Sequence, residues 1–309
     1  MSIFPWFRGA DNASGQTGLL LTEGGAAAAQ VMRGRGTEKP RLVHCAYEAG
    51  EAAPSLGVAV KQLPVRKLPA VSVLPAASYN LLLVEAPDVP GDELRAAVRW
   101  RIKDLIDFHV DDAVIDVFPM PAQGRGGPNQ MMYAIAAKAE FVRGQVETLE
   151  GTGLKLEVID ILELALRNVA AALEHEGRGV GLLHLADKFG VLLLVRQGVM
   201  FLTRRIETGV EALRNASGLR TELVAGLALE ARRSLDYFES HYEQNPISTL
   251  YTTGLQPEDL DQLGQELGIS VSHLDYELIV DMEFEVDEDL QRRCLGAVGA
   301  ALRHEAVKL

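Results

Sequence analysis

GLLHLADKFGVLLLVRQGVMFLTRRIETG, residues 181–209, is the stretch that decides the fold of this chain. It predicts three short strands at 182–185, 191–195 and 200–206, joined by tight turns at 187–190 and 196–198. The middle strand is an unbroken run of five apolar residues. Such a run is typical of a strand covered on both faces, at the centre of a sheet layered with helices.

A second copy of this pattern lies near the N-terminus, at residues 18–34, GLLLTEGGAAAAQVMRG. It opens with the same Gly-Leu-Leu, turns at 22–25, and continues into a second strand that ends in Arg-Gly. Each copy of the strand–turn–strand unit heads its own half of the chain. Repetition of one supersecondary unit indicates growth by duplication. The sequence therefore predicts a two-lobed α/β protein.

Length and charge exclude some classes of protein. A chain of 309 residues with 48% apolar content can bury a large core and is long for one domain, so we expect two lobes. The formal net charge of −13 argues against nucleic-acid binding, because phosphates attract a basic surface. It suits a basic partner segment instead.

Cysteine usage and hydropathy indicate a protein of the reducing cytoplasm. Cys45 and Cys294 are the only cysteines and share no metal-type spacing. No run approaches the ~20 apolar residues of a membrane-spanning helix, and no signal peptide is visible. Residues 1–16 are predicted to be a loose tail with an aromatic start. That start either touches a membrane surface or a partner, or packs on its own lobe.

The predicted division of the chain follows the repeat. The first lobe spans 17–177 and includes an inserted α/β subdomain at about 86–160, and the second lobe spans 178–309. Gly177-Arg178-Gly179 is a hinge-like crossing between the lobes.

The clearest predicted helix lies near the start of the insert. Its apolar residues recur at helical spacing and predict one buried stripe, formed by Leu94, Val98, Ile102, Leu105 and Ile106. Its other face carries Arg95, Arg99 and Lys103. A local positive cluster in so acidic a chain is open to a functional interpretation, but a solvated face with ordinary surface ion pairs is the interpretation we favour.

Several segments carry a resemblance to a known family. They are 93–100 (ELRAAVRW) with 108–116 (FHVDDAVID), 198–206 (GVMFLTRRI), 230–237 (EARRSLDY), and Thr253-Gly254 followed by a helix and Leu267-Gly268-Ile269. In this order they resemble the PilM-type actin-like proteins of type IV pilus assembly, over essentially the whole chain from Gly18. Within that family the chain is most similar to the MshI branch, which serves mannose-sensitive haemagglutinin (MSHA) pili.

The resemblance implies a cytoplasmic protein with a two-lobed actin-like α/β fold. This is the duplicated, ribonuclease H-like ATPase fold, here with a subdomain inserted in the first lobe. It also implies a groove on the first lobe that holds the N-terminal tail of a bitopic, PilN-like inner-membrane protein. We expect this groove between the first lobe's sheet and the insert, near Val98, Ile102 and Phe108.

Actin-like ATPases place a carboxylate and glycines in each hairpin. The acid orients metal and water, and the glycines let backbone N–H groups approach phosphate. The family pattern, roughly Gly-x-Asp-x-Gly, falls on residues 18–22, where the acid has become Leu20 and the second glycine Thr22. In the second hairpin the expected Asp and Gly fall on His184 and Ala186. Leucine cannot hold a metal shell, and histidine is no substitute for a hard oxygen ligand to Mg²⁺.

The residues that would form a degenerate nucleotide cleft are Thr22, Glu23, Gly24, Gly25, Lys188, Glu230, Arg233 and Gly254. Glu23 would place negative charge near the phosphates, and Lys188 with Asp187 would partly compensate for it. The residues expected on the adenine side, Glu230, Arg233 and Gly254, keep more of the family pattern. The segment at Gly254 nevertheless lacks the glycine pair that usually flanks the base. We expect no catalytic residue, no metal site and no resident cofactor, with ATP and Mg²⁺ as the alternative.

The favoured function is therefore a scaffold at the inner face of the bacterial inner membrane. It would recruit a basic partner tail by electrostatic attraction and hold it by apolar contacts. A homodimer is compatible with this function. One alternative is an ATP-binding or ATP-hydrolysing assembly ATPase with unusual phosphate turns. Another is the cytoplasmic region of a type II secretion platform protein, which normally continues into a membrane span and a periplasmic domain beyond the point where this sequence ends.

Overall fold

The computed structural model describes residues 15–34, 36, 38–65, 67–91, 93–121, 130–242 and 244–304. Most of the predicted tail at 1–16 lies outside the described residues. Its last two residues, Gly15 and Gln16, belong to the first strand, because they pair with Met32 and Val31 of the next strand. The first sheet therefore begins two residues before Thr17, where the first lobe was predicted to start.

The described residues form a regular succession of strands and helices. In the first half these are β1 (Gly15–Thr22), β2 (Gly25–Met32), β3 (Arg41–Ala49), α1 (Ala52–Gln62), β4 (Pro69–Val73), β5 (Tyr79–Glu85), α2 (Leu94–Ile102), β6 (Ala113–Pro119), β7 (Met131–Lys138), α3 (Ala139–Glu150), β8 (Lys155–Asp160) and α4 (Leu162–Leu173). In the second half they are β9 (Val180–Leu185), β10 (Gly190–Arg196), β11 (Val199–Ile206), α5 (Val210–Arg214), α6 (Arg220–Tyr242), β12 (Thr249–Thr253), α7 (Pro257–Leu267), β13 (Ser270–His273) and α8 (Glu288–Ala301).

Two five-stranded sheets share one topology. The first has the strand order β3-β2-β1-β4-β8 and the second β11-β10-β9-β12-β13. Each begins with an antiparallel meander of three strands, and each adds two strands parallel to the first strand of that meander. The two hairpins with the Gly-Leu-Leu opening thus hold equivalent places. β10 is buried along its whole length, as its apolar run predicts.

The inserted subdomain is a three-stranded sheet of order β5-β7-β6 with α2 packed against it. The predicted bounds of about 86–160 are wrong at both ends. β5 begins the insert because it pairs with β7 from Tyr79 to Glu85. β8 lies outside the insert because it pairs with β4 in the first sheet. Periodicity identifies these segments as strands but does not tell which strands pair.

The last helix, α8, does not stay with the second lobe as the division at 178–309 predicted. It packs on β1 and α4, which belong to the first lobe. Small residues permit the approach: a Cβ added at Gly18 of β1 would stand 1.8 Å from the carbonyl oxygen of Ala297. α8 and α4 are therefore sandwiched between the sheets, and one continuous core spans both lobes.

Within the described ranges, no helix is long and apolar enough to cross a bilayer.

Candidate functional site: inter-lobe cleft and insert groove

The turns of the two hairpins face each other across the cleft between the lobes. Glu23 in the β1–β2 turn lies 2.5 Å from Lys188 in the β9–β10 turn, measured between Oε2 and Nζ. The hydrogen bond from Lys188 lowers the pKa of the Glu23 carboxyl, and the charge of Lys188 lowers it further. An ion pair of the protein's own side chains thus spans the gap between the two phosphate turns that the resemblance implies.

A cavity of about 360 Å³ opens beside this ion pair. Four of the predicted cofactor-binding residues line it: Thr22, Glu23, Gly24 and Lys188. Gly25 does not line it and has a packing role. A Cβ there would stand 2.1 Å from the carbonyl oxygen of Glu48 in the neighbouring strand. Sequence reasoning missed several lining residues, among them Tyr47, Ala76, Leu162, Phe189 and Arg205.

The two positions where acids were expected also line the cavity. Leu20 is buried and belongs to the main core. His184 is only 4% exposed, and its Nδ1 lies 2.9 Å from the hydroxyl oxygen of Thr253. Burial lowers the pKa of His184 to about 3, with a further contribution from the charge of Arg292. The imidazole is therefore neutral at physiological pH.

Arg292 of α8 divides the cleft. Its side chain is 3% exposed, and its Nη2 donates to Oδ1 of Asp187 and to Oδ1 of Asp289, each at 2.8 Å. It lines both the 360 Å³ cavity and a second cavity of about 200 Å³, which Gly254 also lines. A Cβ added at Gly254, where φ is +84°, would stand 3.0 Å from Cδ of Arg292. A nucleotide reaching from the hairpin turns to Gly254 would have to displace this guanidinium.

Arg293 completes the network. Its Nε donates to Oδ2 of Asp289 at 2.7 Å, and its Nη1 donates to Oδ2 of Asp187 at 3.2 Å. Its guanidinium also lies 4.8 Å from the ring centroid of Tyr47. Burial alone would raise the pKa of Asp289, but hydrogen bonds from Arg293 and Arg292 outweigh it and lower the pKa to about 2. The second-lobe turn is thereby tied to α8 by charged hydrogen bonds, which are stronger than neutral ones.

Little in the sequence predicts this network. Only Asp187 stood out, because it lies in the turn of the second hairpin. Arg292 and Arg293 are ordinary residues of an amphipathic helix until the helix is placed. The one available signal is that the pair directly precedes the line of small and apolar residues that runs from Cys294 to Ala301.

Glu230 and Arg233 lie away from the cleft, contrary to prediction. Oε2 of Glu230 is 2.6 Å from Nη1 of Arg204 on β11, and its Oε1 is 2.8 Å from Nη1 of Arg233. The hydrogen bond from Arg204 is the main cause that lowers the pKa of Glu230. Neither residue lines either cavity. Glu230 thus links α6 to β11 through Arg204, and Arg233 pairs with Glu230 within α6.

These residues do not fit a magnesium-bound nucleotide. Mg²⁺ takes oxygen ligands in near-octahedral geometry. Of the three acids that line the cavity, Glu23 and Asp187 are already engaged by Lys188 and Arg292, and only Glu211 stands outside these ion pairs. Nowhere in the described ranges do three or more His, Cys, Asp or Glu side chains converge as a metal site would need. The hairpin architecture is present, but its metal-binding chemistry is not.

A groove of about 840 Å³ runs between the first lobe and the insert. Phe108 lines it, as predicted, with Lys138 Nζ 5.5 Å from its ring centroid. Phe141 at the start of α3 also lines it and is 42% exposed, although sequence reasoning did not select it. The available sequence signal was a phenylalanine in the first turn of the helix, on a face without other large apolar residues.

Val98 and Ile102 were wrongly placed in the partner groove. Both are 0% exposed, and both pack in the insert's own core with Val84, Met132 and Ala134. They belong to the buried stripe of α2, so they cannot also face a partner. The positive face of α2 makes surface ion pairs, as we expected: Nε of Arg95 is 3.0 Å from Asp116 and Nη1 of Arg101 is 3.4 Å from Glu85.

No protein family and no curated protein matches the chain by sequence. Among solved structures it is similar to the PilM–PilN type IV pilus biogenesis complex, at 22% identity and a TM-score of 0.72, covering 94% of this chain and 98% of that chain. It is also similar to the cytoplasmic domain of EpsL, an inner-membrane component of the type II secretion system of Vibrio cholerae. There the identity is 14% and the TM-score 0.52, with 94% of this chain and 97% of that chain covered. The predicted fold is confirmed: the chain has a two-lobed, PilM-like, actin-like α/β fold.

Proposed function

We propose that this chain is a non-hydrolysing scaffold of a type IV pilus assembly platform, at the cytoplasmic face of the inner membrane. It binds the N-terminal tail of a bitopic, PilN-like inner-membrane partner and reaches the membrane through that partner. The likeness to the PilM–PilN complex supports the choice of partner. The motif resemblance supports a platform of the MSHA type, served by the MshI branch.

The observation that carries this proposal is the groove beside the insert. It is large enough for an extended peptide and presents the rings of Phe108 and Phe141. Aromatic side chains on an exposed wall are typical anchors of peptide recognition. The cleft, by contrast, is bridged by Glu23–Lys188 and divided by Arg292, which supports a scaffold over an ATPase.

Charge favours a basic peptide. Cytoplasmic tails of inner-membrane proteins carry an excess of Lys and Arg. The attraction comes from the net charge of the whole chain, −13, because the groove itself is lined by Glu23 and Asp107 but also by Lys138. Long-range attraction therefore speeds the encounter, and the apolar wall supplies most of the affinity.

Phe141→Ala should weaken binding of a synthetic peptide with the sequence of a PilN-like N-terminal tail about tenfold, since truncating an aromatic anchor typically costs more than ~1 kcal/mol. Isothermal titration at low salt measures the effect. Trp100→Ala is the matched control, because Trp100 is an exposed aromatic of the insert that does not line the groove. Equal affinities for wild type and Phe141→Ala would show that the peptide binds elsewhere.

The alternative function, ATP binding, is tested by a separate experiment. Titration with ATP and Mg²⁺ should give no heat of binding, and phosphate release should equal that of buffer alone, because Glu23 and Asp187 are held in ion pairs and Glu211 alone cannot supply the several oxygen ligands that Mg²⁺ takes. The ATP-binding alternative gains support from one result: a tight exotherm that disappears in Lys188→Ala, whose side chain would then contact phosphate rather than Glu23.

A further inference from the structure

We infer that Glu23 receives a Lys or Arg side chain of the bound tail, and that Lys188 competes with that side chain from the opposite lobe. The inference deepens the proposed function and rests on it, because it takes the groove beside the insert as the site of the tail. It adds to that site a residue that selects a basic tail, and an internal contact that the tail must break.

Glu23 lies where the groove and the inter-lobe cavity adjoin. It lines both of them, as do Leu21, Thr22, Pro75 and Ala77. The end of β1, the turn after it and the segment after β4 therefore form a wall that the two cavities share. A tail that lies in the groove reaches the Glu23 carboxylate without entering the cleft between the lobes.

The Glu23 carboxylate already binds an ammonium group. Its Oε2 lies 2.5 Å from Nζ of Lys188, and the hydrogen bond between them lowers the pKa of Glu23 and raises the pKa of Lys188. Both groups are therefore ionised at physiological pH. Lys188 lines the inter-lobe cavity but not the groove. A lysine of the tail carries the same ammonium group and approaches the same carboxylate from the groove, so the two compete.

Displacing Lys188 costs little. The side chains of Lys188 and Glu23 are 65% and 70% exposed, and ion pairs exposed to this degree are weak. The released ammonium also stays near negative charge. Glu211 lines the same cavity and makes no ion pair with another described residue, and the charges of Glu211 and Asp187 both raise the pKa of Lys188. Lys188 therefore remains protonated after the tail has replaced it.

The groove offers one other carboxylate, Asp107, at the end formed by the insert. Lys138 lines the same end, with its Nζ 5.5 Å from the ring centroid of Phe108, the residue after Asp107. This positive charge opposes a second cation there. Glu23 has a cation beside it only as long as Lys188 stays in place. The structure therefore assigns the basic side chain of the tail to Glu23.

The test is isothermal titration of the full chain at low salt with two peptides. One is the PilN-like tail used above, and the other is the same peptide with every Lys and Arg replaced by Gln. Lys188→Gln should bind the basic peptide roughly threefold more tightly than wild type, because no ammonium then has to be displaced. Glu23→Gln should bind it roughly twofold more weakly. The neutral peptide should bind wild type and both variants alike.

Lys155→Gln is the matched control. Lys155 also forms an exposed pair with a glutamate, Glu157, at 2.5 Å, but it lines neither cavity. The substitution changes the net charge as Lys188→Gln does, so any gain from long-range attraction appears in both variants. A gain found in Lys188→Gln alone is therefore local. In a Glu23→Gln background, Lys188→Gln should give no further gain, because it acts only through Glu23.

Three results overturn the inference. They are equal affinity of wild type and Lys188→Gln for the basic peptide, an equal gain for the neutral peptide, and loss of the basic peptide's advantage in Asp107→Asn instead of Glu23→Gln. The proposed function is judged by Phe141→Ala. If that variant weakens binding while Lys188→Gln has no effect, the groove stands as the site and only the inference fails. If Phe141→Ala binds both peptides as wild type does, both proposals fail.

Discussion

Gly299→Ala lowers the free energy of unfolding by about 2–3 kcal/mol, the expected cost of overpacking at a tight helix contact. Gly299 of α8 faces α4, and a Cβ there would stand 2.1 Å from the carbonyl oxygen of Ala165 and 3.2 Å from Cγ2 of Val169. The first of these is backbone, which cannot rotate away. The helices must therefore separate, and the core that they fill between the two sheets loosens.

The same substitution at Gly226 is the control. Gly226 lies inside α6, is exposed, and a Cβ there meets nothing within 4 Å. Gly226→Ala should therefore stabilise the protein by about 0.5–1 kcal/mol, because glycine in a helix interior is unfavourable relative to alanine. Urea unfolding of both variants measures the difference. Effects of the same sign would show that α4 and α8 do not pack as closely as described.

Arg292→Ala should cost about 2–4 kcal/mol of folding stability, because it removes a buried guanidinium and leaves two carboxylates with fewer partners. Arg292 holds both Asp187 and Asp289. The control is Arg214→Ala, whose side chain is 57% exposed and lies 3.3 Å from the same Asp289. An exposed pair of this kind contributes less than about 1 kcal/mol. Equal losses in the two variants would contradict a structural role for the buried network.

The network also predicts a pH dependence. The folded-state pKa of Asp289 is lowered to about 2 from the usual 3.8, so its contribution to stability is present above about pH 4 and is lost as the pH falls towards 2. Its side chain is 46% exposed, so we discount the contribution to about 1 kcal/mol. Urea midpoints of wild type should fall over this window. Arg292→Ala should show a smaller fall, because Arg293 alone then lowers the pKa.

In this protein, ion pairs between side chains occupy the part of the cleft that separates the two hairpin turns. In an actin-like ATPase, a nucleotide and its metal lie between the hairpin turns. In this chain, Lys188 bridges to Glu23 across the turns, and Arg292 and Arg293 bind the β9–β10 turn to α8. Because α8 packs on the first sheet, these ion pairs join the two lobes through the protein's own side chains, in addition to the shared core. Such a link is consistent with the proposed scaffold function.

The sequence by itself determined the repeat, the two lobes and the absence of acids at positions 20 and 184. Local patterns carry this information: the Gly-Leu-Leu hairpins, the apolar run of β10, and the leucine and histidine at 20 and 184. It also selected Phe108 for the groove and Lys188 for the cleft. Each of these follows from a short segment, where periodicity and turn chemistry act within a few residues.

Only the tertiary structure decided which segments meet. It placed β5 in the insert and β8 in the first sheet, buried Val98 and Ile102, and moved Glu230 and Arg233 to the edge of β11. Above all, it shows that α8 packs on the first lobe, with Arg292 beside Asp187. Contacts of this kind join residues far apart in the chain, and they depend on how whole elements pack. Local propensity does not encode that choice, because every exposed-looking arginine on an amphipathic helix has the same local pattern until a neighbouring lobe covers it.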